Sequence, residues 1–204
     1  MDVLKSGNPA SPVVLIQPVD GHSLAMIEKE IAAITEAADD DFLLLACKVE
    51  SWNRDLSPWE APAVFGRNGF VNGAQVTLNE ILKYCADSRK TYYIGGYSLA
   101  GLFALLAACQ TNAFKGVAAA SPSVWFPGFT EYLRDHPMQT GAVCLSLGDR
   151  VEKHGTLSWL RSAQRTGRHM TFCKSKTSRA YWNGIRATTS RMRTCERQKH
   201  FRGL

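Results

Sequence analysis

A β-rich run, Tyr92-Tyr93-Ile94, ends in Gly95-Gly96-Tyr97-Ser98-Leu99-Ala100-Gly101 and passes at once into the helical run Leu102-Phe103-Ala104-Leu105-Leu106-Ala107-Ala108. A strand, a serine-bearing turn and an apolar helix must therefore join within a few residues. Such a turn brings strand and helix backbones almost into contact, which is why small residues at Gly96 and Ala100 suit it. Serine is a weak nucleophile unless its oxygen is exposed and activated, and a strained turn at a helix N-terminus provides the exposure. The usual pattern is Gly-x-Ser-x-Gly; here Ala100 takes the last place, with Gly101 beside it. An ordinary strand–helix turn with an incidental serine has the same composition, but the flanking strand and helix favour the elbow.

With 204 residues, the chain suits one domain with a substantial core. It holds no run of eighteen apolar residues of the kind that spans a membrane. The segment from Met1 to Pro12 is polar and does not resemble a secretory signal. Cys47, Cys85, Cys109 and Cys144 sit in apolar runs without metal-ligand spacing. They read as buried thiols in a reducing, cytoplasmic setting, with no metal and no cofactor. The charge is uneven. Up to Lys153 there are 12 Lys and Arg against 17 Asp and Glu; from His154 onward there are 12 against the single acid Glu196. One folded domain rarely changes composition so abruptly.

The runs Val13–Gln17, Phe42–Cys47, Tyr92–Ile94, Gly116–Ala120 and Ala142–Leu147 predict strands buried on both faces. Helical spacing predicts helices over Ser23–Ala38, Ala74–Ala86 and Phe129–Asp135. The alternation implies a three-layer α/β sandwich with a mainly parallel sheet of about five strands. Chemistry in such a sheet gathers in the loops beyond the carboxyl ends of the strands. After the first strand comes Gln17-Pro18-Val19-Asp20-Gly21-His22, where a backbone N–H, taken as that of Val19, would complete an oxyanion hole with the Leu99 amide. His22 reads as a loop or substrate contact. The tryptophan-bearing stretch from Val49 to Gly73 either walls a pocket, through Trp52 and Trp59, or anchors a loop; both readings stand. Asp149 follows the last of these strands as a candidate acid, with Glu152 as the alternative. Tyr97 is a further candidate substrate contact.

Five stretches together resemble the α/β-hydrolase superfamily, in the compact esterase branch that includes siderophore-esterase relatives. They are Gln17–His22, Trp52-Asn53-Arg54-Asp55-Leu56-Ser57-Pro58-Trp59, Gly96–Gly101, Ala120-Ser121-Pro122-Ser123-Val124-Trp125-Phe126 and Leu145–Asp149. They cover nearly everything from Pro12 to Lys153. The resemblance implies a Ser–His–acid hydrolase acting on a small-molecule acyl ester, with Ser98 as nucleophile and Asp149 as acid. It also implies one more strand and a histidine block near the C-terminus. That block is missing from the chain as written.

A change of reading frame accounts for the gap. Reading from each codon's third base, residues 182–201 can encode E-W-N-Q-G-N-H-F-K-D-A-D-V-R-T-A-K-A-F, which contains the expected histidine loop. The same frame turns 153–162 into T-R-N-P-V-M-A-T-V-G. Residues 1–153 are then an α/β-hydrolase domain lacking its last strand, and 154–204 an out-of-frame tail, irregular or poorly packed. Ala142–Leu147 would be an open apolar edge, and the general base would be absent. Two other readings remain: a catalytically inactive scaffold, and a basic module binding nucleic acid through the tail. A tail of this charge binds phosphates without specificity, so no specific nucleic-acid partner is expected. Sequencing the coding DNA across codon 153 is expected to show that one frame change there opens a reading that ends in the histidine loop. A stop codon ahead of that loop would remove this explanation of the tail.

Overall fold

The computed structural model describes residues 1–37, 41–64, 69–147 and 169–174. The unbroken apolar runs become inner strands of one sheet, because a parallel strand is covered on both faces and needs apolar side chains on each. β2 (Val13–Val19), β3 (Leu43–Lys48), β4 (Thr91–Tyr97), β5 (Phe114–Ala120) and β6 (Ala142–Leu147) run parallel. β1 (Asp2–Gly7) adds an antiparallel edge on β3, and β7 (His169–Lys174) lies parallel to β6. The order across the sheet is β1-β3-β2-β4-β5-β6-β7.

The three-layer, mainly parallel architecture is the expected one, and the described residues give the sheet seven strands where about five were expected. β1 carries no apolar run and most of its residues are exposed, so no periodicity announces it; its pairing with β3 creates it. β7 falls within the tail. Its backbone covers the outer side of β6, from Ala142 opposite His169 to Leu147 opposite Lys174. The open edge expected on Ala142–Leu147 is therefore closed. The rest of 154–204, like Asp149 and Glu152, lies outside the described residues.

The helix expected over Ser23–Ala38 is two helices, α1 (Gly21–Ala25) and α2 (Ile27–Ala37), separated at Met26. After β3 come the single turn α3 (Trp52–Asp55) and α4 (Ala74–Leu82); α5 (Leu99–Gln110) follows β4, and α6 (Phe129–Asp135) follows β5. Alternate strand residues feed opposite cores. Val14, Ile16, Leu45, Ile94, Val117 and Val143 pack against α4, α5 and α6. Leu15, Val19, Leu44, Ala46, Ala118 and Cys144 face Leu24, Ile27, Ile31 and Ile34 of α1 and α2. Leu99 to Cys109 are all buried, so α5 is apolar around its whole circumference and is held in place by packing on every side.

Two features of this frame bear on the site. The chain leaves β2 toward β3 on one side, then returns to place β4 on the other. This is a topological switch point, and the crevice of an open α/β sheet lies beyond the strand ends there. The β2–β4 pairing stops at Ile16 opposite Ile94; beyond it β2 pairs with β3, whereas Gly95–Tyr97 pair with β5. The two strand ends thus part where Pro18, which has no N–H to give a ladder, follows in β2.

On the α2 side, buried Gln17 donates its side-chain N–H to Glu30 at 2.9 Å, and its Oε1 has no partner among the described residues. Burial raises the Glu30 carboxyl above its ordinary value, with the Gln17 bond opposing the rise. A raised carboxyl favours its neutral form in the folded state. Its contribution is therefore greatest below the unfolded pKa and is lost as pH rises through the folded one. Glu30→Gln keeps the acceptor, removes the charge and adds a donor for Gln17. It should stabilise the fold by about 1 kcal/mol at pH 8, on the scale of satisfying a buried acceptor. That gain should shrink as pH falls toward 4, as read from urea unfolding at both pH values.

Candidate active site

β4 ends at Tyr97 and α5 begins at Leu99, so Ser98 alone makes the turn. Its φ of 55° and ψ of −117° lie outside the regions an L-residue ordinarily occupies. Such a residue costs roughly 1–3 kcal/mol and persists only where its surroundings fix it. Here they do. Ser98 N–H donates to the Ala120 carbonyl at 2.9 Å, and its own carbonyl accepts from Leu102 and Ser123, both at 3.0 Å. Burying Leu99, Leu102, Phe103, Leu105 and Leu106 outweighs the strain, since each large apolar side chain contributes about 1.5–3 kcal/mol.

The residue pattern follows from contact. A Cβ added to Gly96 would stand 2.5 Å from the Ala100 Cβ and 2.7 Å from the Ala100 carbonyl carbon. A Cβ on Gly101 would lie 3.0 Å from the Gly96 carbonyl oxygen and 3.2 Å from the Pro122 Cα. One glycine admits the helix to the strand, and the other admits the β5 loop to the helix. Ala100 is tolerated because its partner across the contact is Gly96, and Gly101 is required for the next layer.

Beyond β5 a second loop crosses the site. Ser121 also has positive φ, 40°, and it and Ser98 are the non-glycine residues so placed among the described residues. Ser123, 1% exposed, sets its hydroxyl oxygen 3.1 Å from that of Ser98. Trp125 follows, partly exposed, with its ring 6.1 Å from Phe70. Sequence reading singled out Ser98 and missed Ser123; the Ser-Pro-Ser spacing placed it in a strand-end loop, but nothing local tied it to the turn.

The other expected residues divide. Tyr97 is 66% exposed beside Ser98. The Leu99 N–H is the first of α5, where helical geometry supplies no internal partner. Val19 lies within β2 rather than in a loop, opposite Lys48, with its carbonyl accepting from Val49 at 2.9 Å. Gln17 is likewise a buried strand residue, so the turn after β2 begins at Asp20. That residue caps α1 by accepting from Ser23 N–H at 2.7 Å. Burial opposes ionisation of Asp20, but the Ser23 bonds and the charge of His22 outweigh it and lower its carboxyl. His22 is exposed on α1.

Of the two readings open for the tryptophans, Trp59 packs as a loop anchor. It lies 5.7 Å from Phe126 edge-on and 5.6 Å from Tyr132, and donates to the Pro127 carbonyl at 2.9 Å. Trp52 opens α3 and packs partly buried on the core beside it. Asp55 closes that turn by accepting from Glu50 and Ser51 N–H at 2.9 and 2.8 Å. Burial pushes the Cys47 and Cys85 thiols up to about 12, so neither is a thiolate near neutral pH. Among the described residues no His, Cys, Asp and Glu cluster could hold a metal, and no helix is long and apolar enough to cross a membrane.

No protein-family model and no curated protein matches the sequence. Solved structures do match in fold. Siderophore hydrolase EstA from Aspergillus nidulans superposes with a TM-score of 0.58 at 16% identity, over 93% of this chain and 89% of that one. Acyl-protein thioesterase 2 from Zea mays gives 0.60 at 13%, over 93% and 97%. FphF of Staphylococcus aureus, a fluorophosphonate-binding serine hydrolase, gives 0.56 at 10%, over 92% and 97%. The chain has the α/β-hydrolase fold.

Gly96→Ala, which forces a carbon into the Ala100 backbone, is expected to destabilise the protein by about 1–3 kcal/mol, the cost of overpacking. Ala100→Gly is expected to be tolerated within about 1 kcal/mol, the helix-propensity penalty of glycine. Urea denaturation of the two variants checks both figures; a Gly96→Ala protein as stable as the parent would contradict the contact geometry.

Proposed function

We propose that the chain is a serine hydrolase acting on an ester or other acyl bond of a small molecule. The observation that carries this reading is Ser98 at positive φ between β4 and α5, beyond the switch point of the sheet. In this mechanism Ser98 Oγ attacks the acyl carbonyl and a histidine takes its proton. The carbonyl oxygen becomes an oxyanion received by the Leu99 N–H at the start of α5. The acid that orients the histidine is Asp149, two residues past the end of β6, with Glu152 as the alternative. Tyr97 and Trp52 supply apolar contact for substrate, and Trp59 acts by holding the aromatic loop around them. The chemistry calls for no cofactor and no metal.

The base is the missing part. The charge break at 153 and the histidine loop that the shifted frame can encode support a polypeptide whose tail is out of frame, so that activity is impaired in the chain as written. Without a triad member, oxyanion and binding effects leave at most about 10³–10⁴-fold catalysis over water.

The test compares the chain as written with a frame-restored form, each beside its Ser98→Ala variant. An alkyl fluorophosphonate should label both parents, the frame-restored form faster, and neither Ser98→Ala protein. On p-nitrophenyl acyl esters the frame-restored form should turn over at least about 100-fold faster than the chain as written, the lower end of what a general base contributes. If neither parent is labelled, the nucleophile reading is wrong.

A further inference from the structure

We infer that Ser123 is a positioning residue for the Ser98 hydroxyl, an assignment that rests on Ser98 being the nucleophile. The two side-chain oxygens are 3.1 Å apart although the residues are 25 positions apart in the chain, on loops that leave neighbouring strands. The backbone brings them together. Ser98 N–H bonds the Ala120 carbonyl, Ser123 N–H bonds the Ser98 carbonyl at 3.0 Å, and Phe126 N–H bonds the Ser123 carbonyl at 3.0 Å. Gly101 lets Pro122 close onto the first turn of α5, and Ser121 takes a strained φ of 40° to start the loop. Both strained residues of the described chain thus serve one junction.

The side chain has a separate job from the backbone. Ser123 is 1% exposed, so its hydroxyl cannot turn to solvent, and Ser98 Oγ is its hydrogen-bond partner among the described residues. Ser98 sits half-buried on the turn, and the bond to Ser123 holds its hydroxyl in one orientation. Ser98 must give its own hydrogen to a base, so the productive arrangement has Ser123 donating and Ser98 Oγ accepting. As the Ser98 proton leaves, charge grows on Oγ and the Ser123 bond strengthens, as hydrogen bonds to charged acceptors do. In the acyl-enzyme Oγ is an ester oxygen that can only accept, and the same donor still fits. Ser123 therefore holds one rotamer throughout the cycle and favours the attacking state over the resting one.

Three substitutions on the full chain, and in parallel on its frame-restored form, test this: Ser123→Ala, Ser123→Thr and Ser123→Cys. The readout is alkyl fluorophosphonate labelling as a function of probe concentration, with thermal unfolding as a control. Ser123→Ala should lower the saturating rate about tenfold, the worth of one hydrogen bond near a developing charge, and leave the half-saturating concentration within about twofold. Ser123→Thr restores the hydroxyl and should recover most of the rate. Ser123→Cys, close in size with a weaker donor, should fall between; it decides the matter if Ser123→Ala unfolds early. A loop-packing role alone would lower the melting temperature without this split, because the backbone bonds of Ser123 survive in every variant. Labelling by Ser123→Ala at the parental saturating rate overturns the assignment alone. A parent that no fluorophosphonate labels in either form overturns the nucleophile reading and this assignment with it.

Discussion

Strand β4 and helix α5 touch backbone to backbone at Gly96 and Ala100, and the rest of the site depends on that contact. Were the two held farther apart by a side chain, the turn between them would need more than one residue. Ser98 would then relax into an ordinary loop conformation. Instead the closeness compels a single residue to reverse the chain at positive φ, and that residue projects beyond the end of the sheet. The strain is small beside what surrounds it. A helix buried from Leu99 to Cys109 cannot withdraw to relieve a local cost of roughly 1–3 kcal/mol.

The position of the turn matters as much as its shape. Because β2 and β4 part after Ile16 and Ile94, the elbow stands beside a gap between strand ends rather than over a closed ladder. The first N–H of α5 points out of the same end of the sheet, where a helix terminus favours negative charge. A strained serine turn, an electropositive helix terminus and a crevice therefore arise from one topological event, the reversal of strand order at β2. The β5 loop then closes the other side, with Pro122 against Gly101 and Ser123 against Ser98. Trp59 holds that loop from beneath through Phe126, Phe129 and Tyr132.

How much of this was legible in the sequence follows from how local each cause is. The inner strands were readable because burial on both faces leaves unbroken apolar runs such as Leu43-Leu44-Leu45. The elbow was readable because strand, small residues and helix adjoin. β1 was not, since a polar edge strand owes its form to its neighbour; nor was the break at Met26, where the helical spacing of Ile27, Ile31 and Ile34 runs on. The apolar run ended the first strand at Gln17, yet β2 continues to Val19, because the ladder with β3 persists after that with β4 has ended. Ser123 was hidden for a third reason: its role exists only once two loops from different strands meet. The tail shows the opposite hazard, since β7 pairs with β6 in a region whose composition gave no reason to expect a strand.

The central claim is that the position-98 oxygen attacks an acyl carbon while the amide at 99 receives the displaced charge. A crystal structure of the protein after reaction with an alkyl fluorophosphonate tests both halves at once. The account predicts phosphorus bonded to Ser98 Oγ, with the phosphoryl oxygen within hydrogen-bond distance of the Leu99 N–H. An adduct on any other side chain, or a phosphoryl oxygen turned away from the start of α5, would contradict it.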